Sequence, residues 1–251
     1  MRVADIVSVL RRAGCVFAED EARLLTEAAA GPAELAALVE RRVGGIPLEV
    51  LLGWAEFDGL RIVVEPGVFV PRRRSELLVR EAAARAPRTV VELCCGSGAI
   101  AAALTARLGS ADVHAADLDP AAVHCARRNL PDAHVYEGDL DAPLPPDLAG
   151  RVDVLVANAP YVPTAEIALM PPEARDHEPR TALDGGVDGL DLARRVMAAA
   201  PRWLAPGGVV IVETSTRQAP LLAAAATAAG LRPDVVSDDD TGGTAVVAQR
   251  R

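Results

Sequence analysis

Polar and aromatic residues follow an apolar run in the stretch VLVANAPYVP. Asn158 offers its side-chain oxygen as a hydrogen-bond acceptor, and the backbone carbonyl of Ala159, whose direction Pro160 helps to fix, offers a second. Two neighbouring acceptors match the two hydrogens of one planar NH₂ group, and Tyr161 adds an aromatic wall. The stretch therefore predicts a site that holds an amide or exocyclic amino nitrogen with its lone pair turned toward a reaction partner.

A glycine-rich turn lies earlier in the chain, in VVELCCGSGAIAAAL. Gly96 and Gly98 let the backbone approach a ligand closely, and a helix that begins near Ser97 points its N-terminal amides at the same place. The pattern also satisfies the fingerprint of NAD-binding proteins, so by itself it indicates a nucleotide and leaves NAD and S-adenosylmethionine open. It also leaves open that the glycines serve helix–sheet packing alone.

Carboxylates end three successive predicted strands. Glu92 can hold an ammonium group, and Asp117 suits a pair of ribose hydroxyls. Asp139, beside Leu140, can meet an adenine edge. The fourth strand should lie beside the first, so we expect Asn158 at its end to border the same crevice.

Alternating strands and helices begin at residue 89 and position these side chains. Strands are predicted at 89–93, 112–117, 134–137, 152–158, 208–214, 232–236 and 244–249, and helices at 97–108, 120–130, 190–204 and 219–229. The alternation predicts a doubly wound sheet with helices on both faces. The link SDDDTGG is too short for a parallel crossover, so the last two strands should be antiparallel. The predicted fold class is α/β, with the Rossmann-like seven-stranded sheet and antiparallel terminal hairpin of a class I S-adenosylmethionine-dependent methyltransferase.

The region before this sheet has a different pattern. Short helices with apolar residues at helical spacing predict an N-terminal helical substrate-docking domain at 1–45. A β-hairpin linker at 46–74 turns at Asp58-Gly59, and the methyltransferase domain then spans 75–251, beginning with a helix. Residues 162–188 contain several prolines and little periodicity, which favours a lid over the site.

Charge and composition exclude several classes of function. The net charge of −9 argues against broad binding of nucleic-acid phosphates. Without a signal peptide or a membrane-length apolar run, we expect a soluble, cytoplasmic protein that is a monomer. The four cysteines, at positions 15, 94, 95 and 125, fit neither a metal site nor a disulfide framework, so no metal is expected.

From about residue 40 to its end, the sequence resembles the protein-(glutamine-N5) methyltransferases that modify release factors. The segments that carry the resemblance are GVFVPRRRSELLV, ELCCGSGAIA, ADLDPAAVHCARRN, EGDLDAPL, NAPYVP and EARDHEPRTALDGGVDGLDLARRV. The resemblance implies S-adenosylmethionine as cofactor and, as substrate, the glutamine of a release-factor Gly-Gly-Gln loop or of a diverged protein target.

Together, the residues and the resemblance predict two sets of site residues. The cofactor set is Glu92, Cys94, Cys95, Gly96, Ser97, Gly98, Asp117, Leu118, Asp139, Leu140 and Asn158. The substrate set is Phe69, Arg72, Asn158, Ala159, Pro160 and Tyr161, of which the last four are the predicted catalytic residues. Phe69 occupies the position of an aromatic residue that packs the glutamine in the family.

The sequence departs from the family pattern at several positions. Ala159 replaces the first proline of Asn-Pro-Pro-Tyr, but this position contributes only its carbonyl, so the amide clamp survives. Cys94 replaces the first glycine of the cofactor loop. Arg73 and Arg74 add two positive charges near the active-site mouth, and the N-terminal helical region is shorter. The run Arg72–Arg74 can form either an exposed patch at the entry to a helix or a docking site for an acidic partner.

The leading hypothesis is an S-adenosylmethionine-dependent methyltransferase of a glutamine side chain in a protein. An amino methyltransferase of a nucleobase or a small molecule has the same clamp and remains an alternative. From other classes, a dinucleotide-dependent oxidoreductase and a non-catalytic cofactor-binding module also remain open.

Overall fold

The computed structural model describes residues 2–251. Its strands are β1 (Trp54–Phe57), β2 (Leu60–Val63), β3 (Thr89–Leu93), β4 (Asp112–Asp117), β5 (His134–Glu137), β6 (Val152–Ala157), β7 (Leu204–Glu213), β8 (Arg232–Asp238) and β9 (Gly243–Gln249). Its α-helices are α1 (Val3–Arg12), α2 (Ala18–Ala28), α3 (Pro32–Val43), α4 (Leu48–Leu52), α5 (Glu76–Ala83), α6 (Ala99–Leu108), α7 (Pro120–Asn129), α8 (Pro172–His177), α9 (Asp191–Trp203) and α10 (Ala219–Ala228).

Seven strands form the main sheet in the order β5-β4-β3-β6-β7-β9-β8. β5, β4, β3, β6 and β7 are parallel, whereas β9 pairs antiparallel with both β7 and β8. This arrangement confirms the predicted class I sheet and its terminal hairpin. The order reverses between β3 and β6, where Leu93 pairs with Ala157, so the glycine turn and Asn158 emerge side by side at the carboxyl edge.

Helices cover both faces of the sheet and bury it. One apolar cluster joins α5, α6 and α7 to alternate residues of the central strands, and a second joins α9 and α10 to the opposite face. Many of the helix residues in these clusters are alanines, which allow the helices to approach the sheet closely. No helix in residues 2–251 is long and apolar enough to span a membrane.

The N-terminal helices α1, α2 and α3 pack around their own apolar cluster, which includes Ile6, Leu10 and Leu25. α4 also packs against this cluster, although it lies within 46–74, where the sequence predicted only a hairpin linker. Five residues after Pro47 are too few to show helical periodicity.

A buried ion pair holds the N-terminal helices together and connects them to the rest of the chain. Arg42 of α3 donates to the buried carboxylate of Glu21 in α2, with its Nε 2.6 Å from Oε2. The same guanidinium lies 2.6 Å from Glu173 of α8. The predicted lid region is thus linked to the helical region through one arginine.

Two element boundaries differ from the sequence prediction for local reasons. The predicted helix at 97–108 begins at Ala99, because Gly98 has a φ of +73° and ends the turn before it. β7 begins at Leu204 instead of 208, since Leu204 pairs with Val152 before an irregularity in the ladder. Pro206, Gly207 and Gly208 hide this early start in the sequence.

Candidate active site

A cavity of about 370 Å³ opens at the carboxyl edge of the sheet. The predicted residues that line it are Phe69, Glu92, Cys94, Cys95, Gly96, Ser97, Asp117, Leu118, Asp139, Leu140, Asn158, Ala159, Pro160 and Tyr161. Gly98 and Arg72, which were also predicted, do not belong to the lining. The structure therefore brings most of the predicted cofactor residues and substrate residues together in one cavity.

The glycine turn after β3 is fixed by the carboxylate that ends β4. Asp117 accepts the backbone N–H of Gly96 at 2.8 Å with one oxygen and that of Asp119 at 2.9 Å with the other. Gly96 has a φ of +54° and Cys94 a φ of +55°, so the turn passes through the left-handed region at both residues. Asp117 thus shapes the turn and still has lone pairs for ligand hydroxyls.

Gly98 serves packing. A Cβ atom at this position would lie 2.8 Å from Cδ1 of Leu130 and 3.2 Å from Cβ of Ala126. The missing side chain allows the start of α6 to meet α7 and its following residue closely. The alternative that glycines serve packing therefore describes Gly98, whereas Gly96 faces the cavity.

The charge of the cavity discriminates between the two cofactors that the glycine turn leaves open. Among the described residues of the lining, four are acidic, Glu92, Asp117, Asp119 and Asp139, and one is basic, Arg74. A pyrophosphate would be repelled by such a lining, whereas an ammonium and a sulfonium group would be attracted. The residues present fit S-adenosylmethionine better than a dinucleotide.

Glu92 is the most deeply buried of these carboxylates, with 2% of its surface exposed. Its Oε2 accepts the backbone N–H of Ala101 in α6 at 2.8 Å. Burial raises the pKa of Glu92 to about 8, so the carboxyl group is largely protonated at neutral pH without a cation beside it.

A pH dependence of cofactor binding follows. If Glu92 ionises to hold the ammonium group, S-adenosylmethionine should bind more tightly as pH rises from about 6 to 7.5, the range in which an α-amino group stays largely protonated. Binding should release up to one proton, measurable by titration calorimetry in buffers of different ionisation enthalpy. Glu92→Gln should bind more weakly and without this release. Equal proton release by both proteins would contradict the assignment.

Asp139 and Leu140, which follow β5, also line the cavity. The carboxylate of Asp139 accepts from Arg195 of α9 at 2.8 Å, and about half of its side chain is exposed. Leu140 is buried against the cavity with a φ of +50°, and Leu118 is 61% exposed at the rim. The two leucines thus border the part of the cavity that lies at the ends of β4 and β5.

Asn158 follows β6 directly and lines the cavity beside Ala159. Its Nδ2 donates to the hydroxyl of buried Ser75 at 3.1 Å, which orients the amide and leaves Oδ1 as the acceptor. Within residues 2–251, no donor is hydrogen bonded to Oδ1 of Asn158 or to the carbonyl oxygen of Ala159. Both predicted acceptors are therefore available to a ligand.

Tyr161 and Phe69 form aromatic parts of the cavity wall. The hydroxyl of Tyr161 donates to Oε1 of Glu213 at 3.0 Å. Burial raises the pKa of Tyr161, and the Glu213 carboxylate acts in the same direction. The ring is therefore neutral and its hydroxyl is a donor throughout the physiological range.

The arginine run does not form one exposed patch. Arg72 pairs with the buried Glu178 at 2.5 Å, and Glu178 also accepts the backbone N–H of Val70 at 3.3 Å. Arg74 pairs with the buried Glu213 at 3.0 Å, which leaves Arg73 as the exposed member. Arg72 and Arg74 thus connect the segment before α5 to the predicted lid and to β7.

The predicted lid packs against the loop Asn158–Tyr161, here termed the substrate loop, since a Cβ atom at Gly185 would lie 2.6 Å from the carbonyl oxygen of Pro160. Val162 and Asp184 form a parallel bridge, and Gly185 donates to the carbonyl of Val162 at 2.9 Å. At Gly189, φ is +79°, and a Cβ atom would lie 2.3 Å from the carbonyl oxygen of Tyr161. The residue that follows the lid region therefore lies directly against the backbone of the substrate loop.

Gly189→Ala should consequently displace Tyr161, and it should lower kcat/KM as well as the free energy of unfolding. Gly207→Ala is a matched control, because Gly207 has the same φ of +79° and its Cβ would meet no heavy atom within 4 Å. Both variants should lose about 1–2 kcal/mol of unfolding free energy to the left-handed conformation, and Gly189→Ala should lose more because its Cβ atom must also displace the Tyr161 carbonyl. Only Gly189→Ala should lose activity in steady-state assays, and equal activities would contradict the role of this contact.

Sequence reasoning missed Ser75, Glu213 and Gln218. Gln218, at the start of α10, donates from Nε2 to the backbone carbonyls of Tyr161 and Asp188, each at 2.9 Å. Each of these three residues lies more than 50 positions along the sequence from the residue of the substrate loop that it contacts. One signal was available for Glu213, since it is a carboxylate that ends a predicted strand, as Glu92, Asp117 and Asp139 do.

Comparisons with known proteins identify similar sequences. Residues 59–170 match the methyltransferase small domain family. A release factor glutamine methyltransferase of Geobacter sulfurreducens is 44% identical over 198 residues, covering 75% of this chain and 68% of the relative. One of Deinococcus radiodurans is 37% identical over 268 aligned positions, covering 96% and 94%.

Solved structures share the fold. The match to a methyltransferase of Pyrococcus furiosus covers 76% of this chain and 89% of the Pyrococcus chain, with 18% identity and a TM-score of 0.58. The match to a Thermus thermophilus 16S rRNA N2 G1207 methyltransferase, solved with S-adenosylmethionine and guanosine, covers 79% of this chain and 50% of that protein's chain. The identity is 22% and the TM-score is 0.55. At these identities the likeness concerns the fold alone.

Proposed function

Because this chain belongs to the family of the release factor glutamine methyltransferases, we propose that it methylates the side-chain amide nitrogen of a glutamine in a release factor, with S-adenosylmethionine as methyl donor. The observation that carries the proposal is the pair of free acceptors at the cavity. The NH₂ group of Asn158 donates to Ser75, so Oδ1 remains as an acceptor, and both Asn158 and Ala159 line the cavity.

The two acceptors act on a nitrogen that is a poor nucleophile because its lone pair is delocalised into the amide. Asn158 Oδ1 and the Ala159 carbonyl hold its two hydrogens, which fixes the nitrogen and turns its lone pair toward the cofactor side of the cavity. Positioning of this kind can supply on the order of 7–11 kcal/mol of a barrier. The nitrogen becomes acidic once methylated, so its surplus proton leaves without a strong base.

The cofactor site is proposed from the same cavity. Glu92 would hold the ammonium group, Asp117 the ribose hydroxyls, and Leu118 and Leu140 the adenine. The bound cofactor supplies a methyl group on an electrophilic sulfonium centre. Phe69 and Tyr161 exclude water and confine the glutamine between this centre and the two acceptors.

The test is methyl transfer from labelled S-adenosylmethionine to a purified bacterial release factor, with the modified residue located by mass spectrometry. We expect one methyl group on the glutamine of the Gly-Gly-Gln loop. A release factor with that glutamine changed to glutamate should take up no label, since it lacks the amide. Label on another residue, or none despite measurable cofactor binding, would contradict the proposal.

The same proposal sets the partner and the place of action. The release factor would be the protein partner, and translation termination places it in the cytoplasm. We propose that the chain acts as a monomer. Sedimentation of the active enzyme would test this point.

A further inference from the structure

Glu213 ends β7 and is 1% exposed, although nothing in the proposed chemistry requires a carboxylate there. The residue before it, Val212, pairs with Ala157, so Glu213 lies at the sheet edge beside the substrate loop. Its Oε1 accepts the hydroxyl of Tyr161 and Nε of Arg74, each at 3.0 Å. Its Oε2 has no partner among the described residues.

Tyr161 is held at three points by this neighbourhood. Glu213 binds its hydroxyl, and the guanidinium carbon of Arg74 lies 5.7 Å from the centre of its ring. Gln218 donates to its backbone carbonyl at 2.9 Å. Ring, hydroxyl and backbone are therefore all restrained by residues that come from outside the loop.

We propose that Glu213 is a positioning residue which, with Arg74 as its counter-ion, sets the Tyr161 ring against the substrate glutamine. The inference rests on the proposed function for the identity of that substrate. It assigns Arg74 to the architecture of the substrate pocket, in place of a docking charge for a partner protein.

The cost of burying a carboxylate explains why the arrangement needs both partners. An isolated buried charge is unfavourable, and the adjacent guanidinium of Arg74 offsets it. In return, a hydrogen bond to an ionised acceptor is roughly twice as strong as one between neutral groups, so it holds the Tyr161 hydroxyl more firmly than an amide could. A ring fixed before binding loses less entropy when the substrate arrives.

Kinetics of four variants test the proposal. Glu213→Met removes both acceptor oxygens at similar volume and should lower kcat/KM for the protein substrate about 10- to 100-fold, the equivalent of one hydrogen bond to a charged group. Glu213→Gln keeps an acceptor and should retain most of the activity. Tyr161→Phe should resemble Glu213→Met, and the double variant should be no worse than either.

The outcome that overturns the proposal is a double variant whose loss is the product of the two single losses, because Glu213 would then act independently of the Tyr161 hydroxyl. Cofactor affinity should be unchanged in all variants. A loss confined to cofactor affinity would also overturn it.

A second measurement does not depend on methyl transfer. The chain has two tyrosines, at positions 136 and 161, so ¹³C label at the tyrosine Cζ gives two NMR signals that Tyr161→Phe assigns. Glu213→Gln should shift the Tyr161 signal. Glu178→Gln is the matched control, because it neutralises another buried, arginine-paired glutamate and should leave that signal in place.

The two measurements separate the possible failures. A Tyr161 signal that does not respond to Glu213→Gln overturns the inference whatever the substrate is. A signal that shifts as expected in an enzyme that does not methylate a release factor supports the Glu213 contact and refutes the proposed function.

Discussion

Replacing Asn158 with alanine is expected to lower kcat for methyl transfer about 100- to 1,000-fold, the range for losing one preorganised hydrogen-bonding group at a reacting centre. The variant removes the side-chain acceptor and leaves the Ala159 carbonyl alone with one of the two amide hydrogens. The nitrogen would then rotate about the remaining hydrogen bond, and its lone pair would no longer be aligned.

Asn158→Asp is the informative companion variant. Its carboxylate keeps an acceptor oxygen at the position of Oδ1 and can accept the hydroxyl of Ser75 in turn, so it should lose less activity than Asn158→Ala. Titration calorimetry should show a cofactor Kd close to that of the unchanged protein for Asn158→Ala. Normal turnover by Asn158→Ala would refute the two-acceptor clamp.

Replacing Asp117 with alanine is expected to weaken S-adenosylmethionine binding by at least about 100-fold, because each hydrogen bond to a charged group is worth roughly 1.5–3 kcal/mol. The carboxylate would lose its bonds to both ribose hydroxyls. The turn would also lose the contact from the Gly96 N–H at 2.8 Å, so the backbone around the cofactor would relax.

Asp153→Ala controls for the loss of backbone contacts alone. Asp153 accepts the N–H groups of Arg88 at 2.8 Å and of Thr89 at 3.0 Å, at the opposite end of β3 from the cavity. Both variants should reduce the unfolding free energy, but only Asp117→Ala should change the cofactor Kd measured by calorimetry. A similar change in both would show that Asp117 acts only through stability.

Most of the main domain could be predicted from the sequence, because each of its strands and helices shows its pattern within a short stretch of residues. The alternation of apolar strands with amphipathic helices gives the parallel part of the sheet, and the short SDDDTGG link gives the antiparallel end. In such a sheet the residues that follow each strand meet at one edge. Glu92, Asp117 and Asn158 were therefore placed at one cavity by topology alone.

The supporting residues could not be predicted, because their contacts span long stretches of chain. Ser75 lies 83 residues from Asn158. Glu213 lies 52 residues from Tyr161, and Gln218 lies 57 residues from it. No periodicity connects such pairs, and their geometry depends on how α5, β7 and α10 pack on the sheet edge.

The arginine run shows the same limit for charges. The sequence leaves open whether Arg72, Arg73 and Arg74 form a solvated patch or a docking site. The structure divides them, since Arg72 and Arg74 each meet a buried glutamate and Arg73 remains exposed. Those glutamates lie more than 100 residues away, in the lid region and at the end of β7.

The most direct test of the central claim is a crystal structure with S-adenosylhomocysteine and a glutamine-containing release-factor peptide. We predict that the side-chain nitrogen of the glutamine lies within about 3.2 Å of both Asn158 Oδ1 and the Ala159 carbonyl oxygen, the limit for a normal N–H···O hydrogen bond. A glutamine whose nitrogen contacts neither oxygen in that complex would contradict the account.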